Sequence, residues 1–179
     1  MTMTTLETVN YELYAPPTSP IVPTELEEIV AVTTSQGVQM LPLDGEKLHS
    51  HKLAVVAYLG EKIVGYCAST YHYNNTENSL MEVGALVVLP EHRHHGIAKD
   101  LVPKVTASVH NLGLGAIAFC NPASAPIFEE ANYQLASAEQ VPAEAIEPCN
   151  TCPMQKLHKN GICCDEVYVN IGDNSGSNA

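Results

Sequence analysis

The sequence predicts an α/β fold in which strands alternate with helices along the chain. Two β-rich runs, 53–59 and 63–69, are joined by the short segment 60–62, which is typical of a β-hairpin. A third β-rich run, 80–89, ends at a proline, and the apolar residues that follow recur every fourth position, as on one face of a helix. This change of period indicates a sheet with at least one helix packed on it.

The elements before the hairpin are short. Residues 9–13 alternate apolar and polar side chains and predict a strand, and a proline-rich link follows over 14–23. Thr24 and Glu27 have the spacing of a capping box, which predicts a helix ending near Thr33. Residues 36–51 carry no readable pattern, so no element is predicted there.

The helix after the third strand has a clear apolar stripe and should end near Gly113. Pro103 lies inside it, and because an interior proline costs a helix about 3 kcal/mol, we expect a kink or a late start. The stripe consists of Ile97, Leu101, Val105 and Val109.

The remaining elements follow the same alternation. Residues 116–120 predict a strand, and 123–131 predict a second helix that turns Ile127 and Phe128 inward. Residues 137–148, rich in Ala, Glu and Pro, are interpreted as a linker.

The chain length suits one main domain. At 179 residues, with 45% hydrophobic and 16% charged residues, the composition is that of a globular protein. We expect this domain over 1–148, a cysteine-rich appendage over 149–171 and a disordered polar tail over 172–179.

Charge and apolar patterning exclude several classes of partner. The net charge of −12, with only eight Lys and Arg, argues against nucleic acid, because phosphate contacts need clustered cations. No apolar run is long enough for a membrane helix, and no basic region precedes an apolar stretch at the amino terminus. We therefore expect a cytoplasmic protein whose partner is neutral or cationic.

The junction 87–98 carries the functional signal, because a strand stops there, turns and starts a helix. The first N–H groups of a helix lack intrahelical partners and form the positive end of its dipole, which suits a pyrophosphate. Gly96 permits close approach of a ligand to the backbone, and Ala98 is small. Arg93, the only arginine of the sequence, lies here within eight residues that also contain His92, His94, His95 and Lys99.

The pattern Arg93-x-x-Gly96-x-Ala98 resembles the acyl-CoA-binding signature Gln/Arg-x-x-Gly-x-Gly/Ala of the GNAT superfamily of N-acetyltransferases. The resemblance covers about 53–135: the hairpin and third strand look like the family's central sheet, and 120–133 is similar to its second conserved block. It implies a mixed, mostly antiparallel central sheet, flanked by helices and splayed at the cofactor strand.

The resemblance also implies the residues that bind acetyl-CoA. The backbone of Leu86, Val87 and Val88 would hold the pantetheine arm, and Asn121 would contact the same arm. A splayed strand often contains a β-bulge, which we expect at Gly84. The pyrophosphate would lie against Arg93, His94, His95, Gly96, Ile97 and Ala98.

The chemistry that the resemblance implies is direct attack of a primary amine, of a small molecule or a protein, on the thioester. Glu82, fourteen residues before Gly96, is our candidate general base, since its spacing resembles a glutamate used by several members. The alternatives are an exposed strand glutamate and a base made of water molecules. Phe128 stands where many members have a tyrosine that protonates the departing thiolate, and Tyr133 matches an aromatic that packs. Either another group protonates the thiolate or it leaves unassisted.

The cysteines form two classes. Cys67 and Cys120 stand in apolar runs and predict small buried hydrophobes. A late cluster, with His158 between its pairs, has spacings that predict a structural zinc site. Adjacent cysteines point opposite ways in a strand, so both bind one ion only if the chain turns there; otherwise one of them and His158 complete the site. A pair of thiols or disulfides and a redox or substrate role are the alternatives. The cluster is Cys149, Cys152, Cys163 and Cys164.

A second class of function stays open beside the enzyme. A non-catalytic CoA-binding or zinc-stabilised interaction module is suggested by Phe128 and by the cysteine cluster. The paired His49 and His51 are interpreted as solvent-facing, and the segment 71–73 as a rim of half-buried aromatic side chains.

Overall fold

The computed structural model of the protein describes residues 8–15, 23–35, 40–74, 79–147, 151 and 166–172. The strands are β1 (Val9–Tyr14), β2 (Leu53–Leu59), β3 (Lys62–Asn74), β4 (Ser79–Val88), β5 (Gly115–Cys120), β6 (Gln134–Leu135) and β7 (Glu166–Asn170). The helices are α1 (Glu27–Thr34), α2 (Gly45–Ser50), α3 (Ile97–His110), α4 (Ala125–Glu130) and α5 (Ala143–Ile146), and short 3-10 turns occupy Pro23–Leu26, Pro90–His92 and Ala138–Gln140.

The strands in these ranges form one seven-stranded sheet in the order β1-β2-β3-β4-β5-β7-β6. β4 and β5 pair in parallel, and the other neighbouring strands are antiparallel. The prediction of a mixed, mostly antiparallel sheet flanked by helices is therefore confirmed. The parallel pair exists because β4 and β5 are connected by α3, which crosses over one face of the sheet.

Helix α3 covers one face of the sheet with the predicted stripe. Its four stripe residues are all buried in a core with alternate residues of β2, β4 and β5. Gly65 allows the helix to approach β3 closely, because a Cβ there would lie 2.9 Å from Ile97 Cγ2 and 3.1 Å from Leu101 Cδ1. The helix starts at Ile97 and runs through Pro103, so the late start that the proline suggested does not occur.

The opposite face of the sheet carries two further cores. Near β2, the side chains that point away from α3 pack against α1 and α2. Near β5 and β7, Ile117 and Val169 pack with Leu80 and with Ala145 of α5. Every helix in the described ranges is too short or too polar to span a membrane.

Two elements appear where the sequence showed no regular structure. Helix α2 lies in the segment without a pattern, and its first turn is capped by Asp44, whose Oδ1 accepts a hydrogen bond from Lys47 N at 2.9 Å. The interpretation of 137–148 as a linker is wrong, because Ala138–Gln140 and α5 fold there and Ala145 is only 4% exposed.

The end of the predicted cysteine-rich appendage, 149–171, belongs to the central sheet in the structure. β7 lies inside the sheet and pairs antiparallel with β5 on one side and with β6 on the other. Residues 166–170 are therefore an internal strand of the same sheet. The cluster predicted to bind zinc, Cys149, Cys152, Cys163 and Cys164 with His158, lies outside the described residues.

Candidate active site

Strand β4 loses one of its two partners half way along its length. It pairs with β5 at three positions, the last of which joins Glu82 to Ile117, whereas its pairing with β3 continues to Val88. Beyond Glu82 the two strands diverge, so the edge of β4 that faced β5 presents its backbone N–H and C=O groups to an opening. The sheet is therefore splayed at this strand.

A β-bulge accompanies the divergence. Tyr66 and Ala68 of β3 face Val87 and Gly84, so β4 has one residue more than β3 over this stretch. Ala85 adopts a positive φ of 50° there, which makes it, and not the adjacent Gly84, the residue in the left-handed conformation. Because of the extra residue, side chains after the bulge point to the face opposite the one that their spacing would give: Val83 packs on the α3 side and Val87 on the other side.

A groove of about 610 Å³ runs along this open edge to the start of α3. This volume lies within the range of small-molecule sites. Its lining contains nine of the ten residues that the sequence assigned to the cofactor: Leu86, Val87, Val88, Arg93, His94, Gly96, Ile97, Ala98 and Asn121. His95 is not among the lining residues, and its Nδ1 hydrogen-bonds the carbonyl oxygen of Arg93 at 2.7 Å.

The turn between β4 and α3 shapes one end of the groove. Arg93 Nε donates a hydrogen bond to Val88 O at 3.0 Å, which ties the turn to the end of the strand. His94 and Gly96 have positive φ angles of 63° and 84°. A Cβ at Gly96 would meet no atom within 4 Å, so glycine is favoured there by its backbone conformation and not by crowding from the protein.

The same turn presents backbone donors and positive charge. The first helical bond runs from Asp100 N to Gly96 O, so the three N–H groups before it have no helical acceptor. Lys99 and His92 also line the groove, although the sequence analysis did not assign them to the cofactor. Lys99 forms an ion pair with Glu130 at 2.7 Å, which holds its charge beside α4.

Asn121 has a structural role in addition to its place in the groove. Its Oδ1 accepts hydrogen bonds from Ala123 N at 2.9 Å and Ser124 N at 3.0 Å, which shape the turn into α4. Ser124 lines the groove as well. The predicted contact of Asn121 with a ligand stays a prediction.

Glu82 lies at the last paired position of β4, where the opening begins. It is partly buried, so the alternative of an exposed strand glutamate is not what the structure shows. Tyr73 Oη donates a hydrogen bond to Glu82 Oε2 at 2.7 Å. Burial raises the pKa of the Glu82 carboxyl above its ordinary value, and the hydrogen bond from Tyr73 opposes that shift.

Tyr73 is a site residue that the sequence analysis missed. It was interpreted only as part of an aromatic rim, yet its side chain is 7% exposed, whereas Tyr71 is 66% exposed. Spacing along β3 could not indicate the contact with Glu82, because an irregularity in the strand determines which way Tyr73 points.

The aromatic residues of the second conserved block are packed in the core. Phe128 is 3% exposed and meets Tyr133 edge to face at 5.1 Å. The hydroxyl groups of Tyr133 and Thr106 are hydrogen-bonded at 2.7 Å, and burial raises the pKa of Tyr133. Ile127, predicted to face inward with Phe128, is partly buried against the same core and also lines the groove.

Two other predictions from residue type can be compared with the structure. Cys67 and Cys120 are fully buried, as expected. His51 is not solvent-facing, since it is 4% exposed and its Nδ1 shares a hydrogen bond with the Tyr66 hydroxyl. No group of three or more His, Cys, Asp or Glu side chains suited to a metal occurs in the part of the chain that the structure describes.

Comparison with known proteins points to one family. Residues 11–133 match the acetyltransferase (GNAT) family. An uncharacterized N-acetyltransferase of Chlorobaculum tepidum is 27% identical over 121 residues, which are 68% of this chain and 70% of that protein.

Solved structures share the fold at low sequence identity. A GNAT family N-acetyltransferase (YhbS) from Escherichia coli, in complex with CoA, superposes with a TM-score of 0.60 at 15% identity and covers 97% of this chain and 87% of its own. N-acetylglutamate synthase from Neisseria gonorrhoeae, complexed with coenzyme A and N-acetyl-glutamate, gives 0.58 at 14% identity over 91% of this chain. This chain spans only 35% of that longer enzyme.

Proposed function

The chain belongs to the acetyltransferase (GNAT) family, and we propose that it transfers the acetyl group of acetyl-CoA to a primary amine of a small molecule or a protein. The observation that carries this proposal is the groove along the open edge of β4. It joins unpaired strand backbone, a helix start and a cluster of cationic side chains in one site. CoA offers a matching order of groups, because its amide-bearing arm leads to a pyrophosphate.

The proposed placement of the cofactor follows from this match. The pantetheine arm would take the place of the missing strand and hydrogen-bond to the backbone of 86–88. The pyrophosphate would receive the free N–H groups at the start of α3, whose dipole favours a negative charge. Arg93, held at Val88 O, would supply positive charge at the same end of the groove. His95 is outside the groove lining, so its proposed contribution is limited to backbone groups.

Glu82 is the proposed general base. It lies where β4 and β5 separate, four residues before Leu86, the first residue of β4 that lines the groove, and it is not itself among the lining residues. The thioester would extend from the groove toward it. As the amine nitrogen forms a bond to the acetyl carbon and the carbon–sulfur bond breaks, the nitrogen transfers a proton to the carboxylate of Glu82. The CoA thiolate then takes a proton from water, and the hydroxide that this leaves is neutralised by the proton that Glu82 releases. A raised pKa suits a group that must accept a proton near neutral pH.

No side-chain acid for the thiolate is proposed. Phe128 has no hydroxyl group, and that of Tyr133 is hydrogen-bonded to Thr106 inside the core. A thiol has an ordinary pKa of about 8.5, so its thiolate is a reasonable leaving group without a neighbouring acid. The net charge of −12 favours encounter with a cationic amine.

Binding of acetyl-CoA, measured by titration calorimetry, tests the cofactor site. Gly96→Glu places a carboxylate at the proposed pyrophosphate turn and should weaken binding by at least about tenfold. Gly113→Glu is the matched control, because Gly113 also has a positive φ, of 75°, and a Cβ there would likewise meet no atom within 4 Å. Gly113 lies at the other end of α3, so its variant should bind as the wild type does.

The outcomes separate the possible functions. If the wild type does not bind acetyl-CoA, the proposal is overturned. If it binds but releases no CoA thiol with a panel of amines, the chain is a non-catalytic CoA-binding module. The structural zinc at the late cysteines stays a prediction from the sequence, and metal analysis of the purified protein tests it.

A further inference from the structure

Tyr73 and Glu82 form a hydrogen-bonded pair on neighbouring strands. Tyr73 belongs to β3, and its hydroxyl donates to Glu82 Oε2 at 2.7 Å. The tyrosine is 7% exposed and packs in the core that contains Leu80 and Ile117. The phenol ring is therefore held by packing, and so is the hydroxyl that contacts the carboxylate.

A register shift in β3 brings Tyr73 to this face of the sheet. Ser69 faces Val83, and His72 faces Met81, so β3 has one residue more than β4 between these pairs. Cys67 packs on the α3 side of the sheet, and without the shift Tyr73, six residues later, would point to that side too. The extra residue turns Tyr73 to the opposite face, where Glu82 lies.

The two oxygens of the Glu82 carboxylate have different surroundings. Oε2 receives the hydrogen bond from Tyr73, whereas Oε1 lies 3.7 Å from the position that a Cβ would take at Gly84. Gly84 adjoins the bulge and lies on the open edge of β4, which starts beyond Glu82. The hydrogen bond thus holds one oxygen, and the other lies beside Gly84, two residues before Leu86, the first residue of β4 that lines the groove.

We propose that Tyr73 is a positioning residue that holds Glu82 by Oε2, keeps it in the carboxylate form and directs Oε1 at the acceptor amine. This inference rests on the proposed function of Glu82 as the base. It follows from opposing effects on the carboxyl, because burial favours the neutral form and a donated hydrogen bond favours the charged one. The pKa of Glu82 is shifted by burial and, among the described residues, by the hydrogen bond from Tyr73. The residue of β5 that pairs with Glu82 is Ile117, which does not titrate.

The test is the pH dependence of kcat/KM for Tyr73→Phe, which removes only the hydroxyl. Without the hydrogen bond, the pKa of Glu82 should rise, and the acidic limb of the profile should move to higher pH by about one unit. At a pH on the acidic limb of the wild-type profile the rate should fall several-fold, through kcat, while the Kd for acetyl-CoA stays unchanged. Tyr71→Phe is the matched control, since its ring lies 6.4 Å from that of Tyr73 but is exposed.

Glu82→Gln and the double variant distinguish this inference from the proposed function. If Glu82→Gln loses turnover but the Tyr73→Phe profile superimposes on that of the wild type, the positioning role is overturned and the base remains. If Glu82→Gln keeps wild-type turnover, both assignments are overturned, while acetyl-CoA binding is unaffected. In the Glu82→Gln background, Tyr73→Phe should cause no further loss of rate. Should Tyr73→Phe fold poorly, Tyr73→Leu must give the same shift of the acidic limb.

Discussion

Strand β3 carries two tyrosines whose hydroxyl groups contact titratable side chains on the same face of the sheet. Tyr66 shares a hydrogen bond with His51, and Tyr73 donates one to Glu82. In both pairs, burial shifts the pKa of the titratable group toward its neutral form: it lowers the pKa of His51 to about 4 and raises that of Glu82.

The two pairs differ in what lies beside them. His51 is 4% exposed and Tyr66 is fully buried, beneath α1 and α2, where β2 and β3 stay paired along the whole of β2. Glu82 is partly buried, at the position where β4 separates from β5. A shifted pKa by itself therefore does not identify an active site, because an enclosed pair has no room for a substrate. The opening of the sheet makes the difference.

The largest effect is expected on turnover, from a change in the pair of Tyr73 and Glu82. Glu82→Gln should lower turnover by about 100-fold or more, because it removes the proton acceptor. The Kd for acetyl-CoA and the unfolding free energy should stay close to the wild-type values, since glutamine is uncharged and similar in shape. Steady-state kinetics with a thiol-release assay measures this. His51→Gln is the control, and a comparable loss of turnover in it would remove the distinction between the two pairs.

The enclosed pair should control stability and not turnover. The pKa of His51 is depressed from 6.5 to about 4, so the unfolded chain binds more protons between these values and stability falls as the pH falls through them. From pH 7 to pH 5 this amounts to about 2 kcal/mol. Glu82 has the opposite sign, because its raised pKa favours the folded state at low pH.

Urea unfolding at both pH values, of the wild type and of His51→Gln, isolates the histidine. The loss on acidification should be smaller in the variant by about the same 2 kcal/mol. Equal losses in the two proteins would show that His51 is accessible to protons in the folded state.

A smaller effect is expected on the binding of acetyl-CoA when Arg93 in the groove is replaced. Arg93→Ala should raise the Kd for acetyl-CoA by about tenfold, because it removes a cation from the groove and the hydrogen bond to Val88 O. With saturating acetyl-CoA, kcat should change little. Lys104→Ala, which removes a cation from α3 that lies over the Tyr11 ring, should leave Kd unchanged. An equal rise in both variants would mean that the overall charge governs binding.

The smallest effect is expected at the bulge that separates the two regions. Ala85 has a positive φ of 50°, which costs a residue with a Cβ more than it costs glycine. Ala85→Gly should therefore stabilise the protein by about 0.5 kcal/mol, and Ala85→Val should destabilise it. Thermal unfolding measures both, and a destabilised Ala85→Gly would show that Ala85 contributes packing that outweighs its strain.

The parts of the molecule that could be predicted are those that depend on neighbouring residues. The hairpin of β2 and β3, the end of β4 and the stripe of α3 follow from local alternation and spacing. β7 was not predicted, because its place between β5 and β6 depends on pairing with distant strands. Helices α2 and α5 are too short, at six and four residues, to show a periodic pattern.

The sequence by itself determined the turn at Gly96, the helix after it and the cationic cluster around Arg93. These features need only a backbone conformation that glycine favours and residues adjacent along the chain. Only the tertiary structure decided that Tyr73 contacts Glu82 and that Tyr66 contacts His51. Each contact depends on strand register, and a single extra residue turns every later side chain of a strand to the other face.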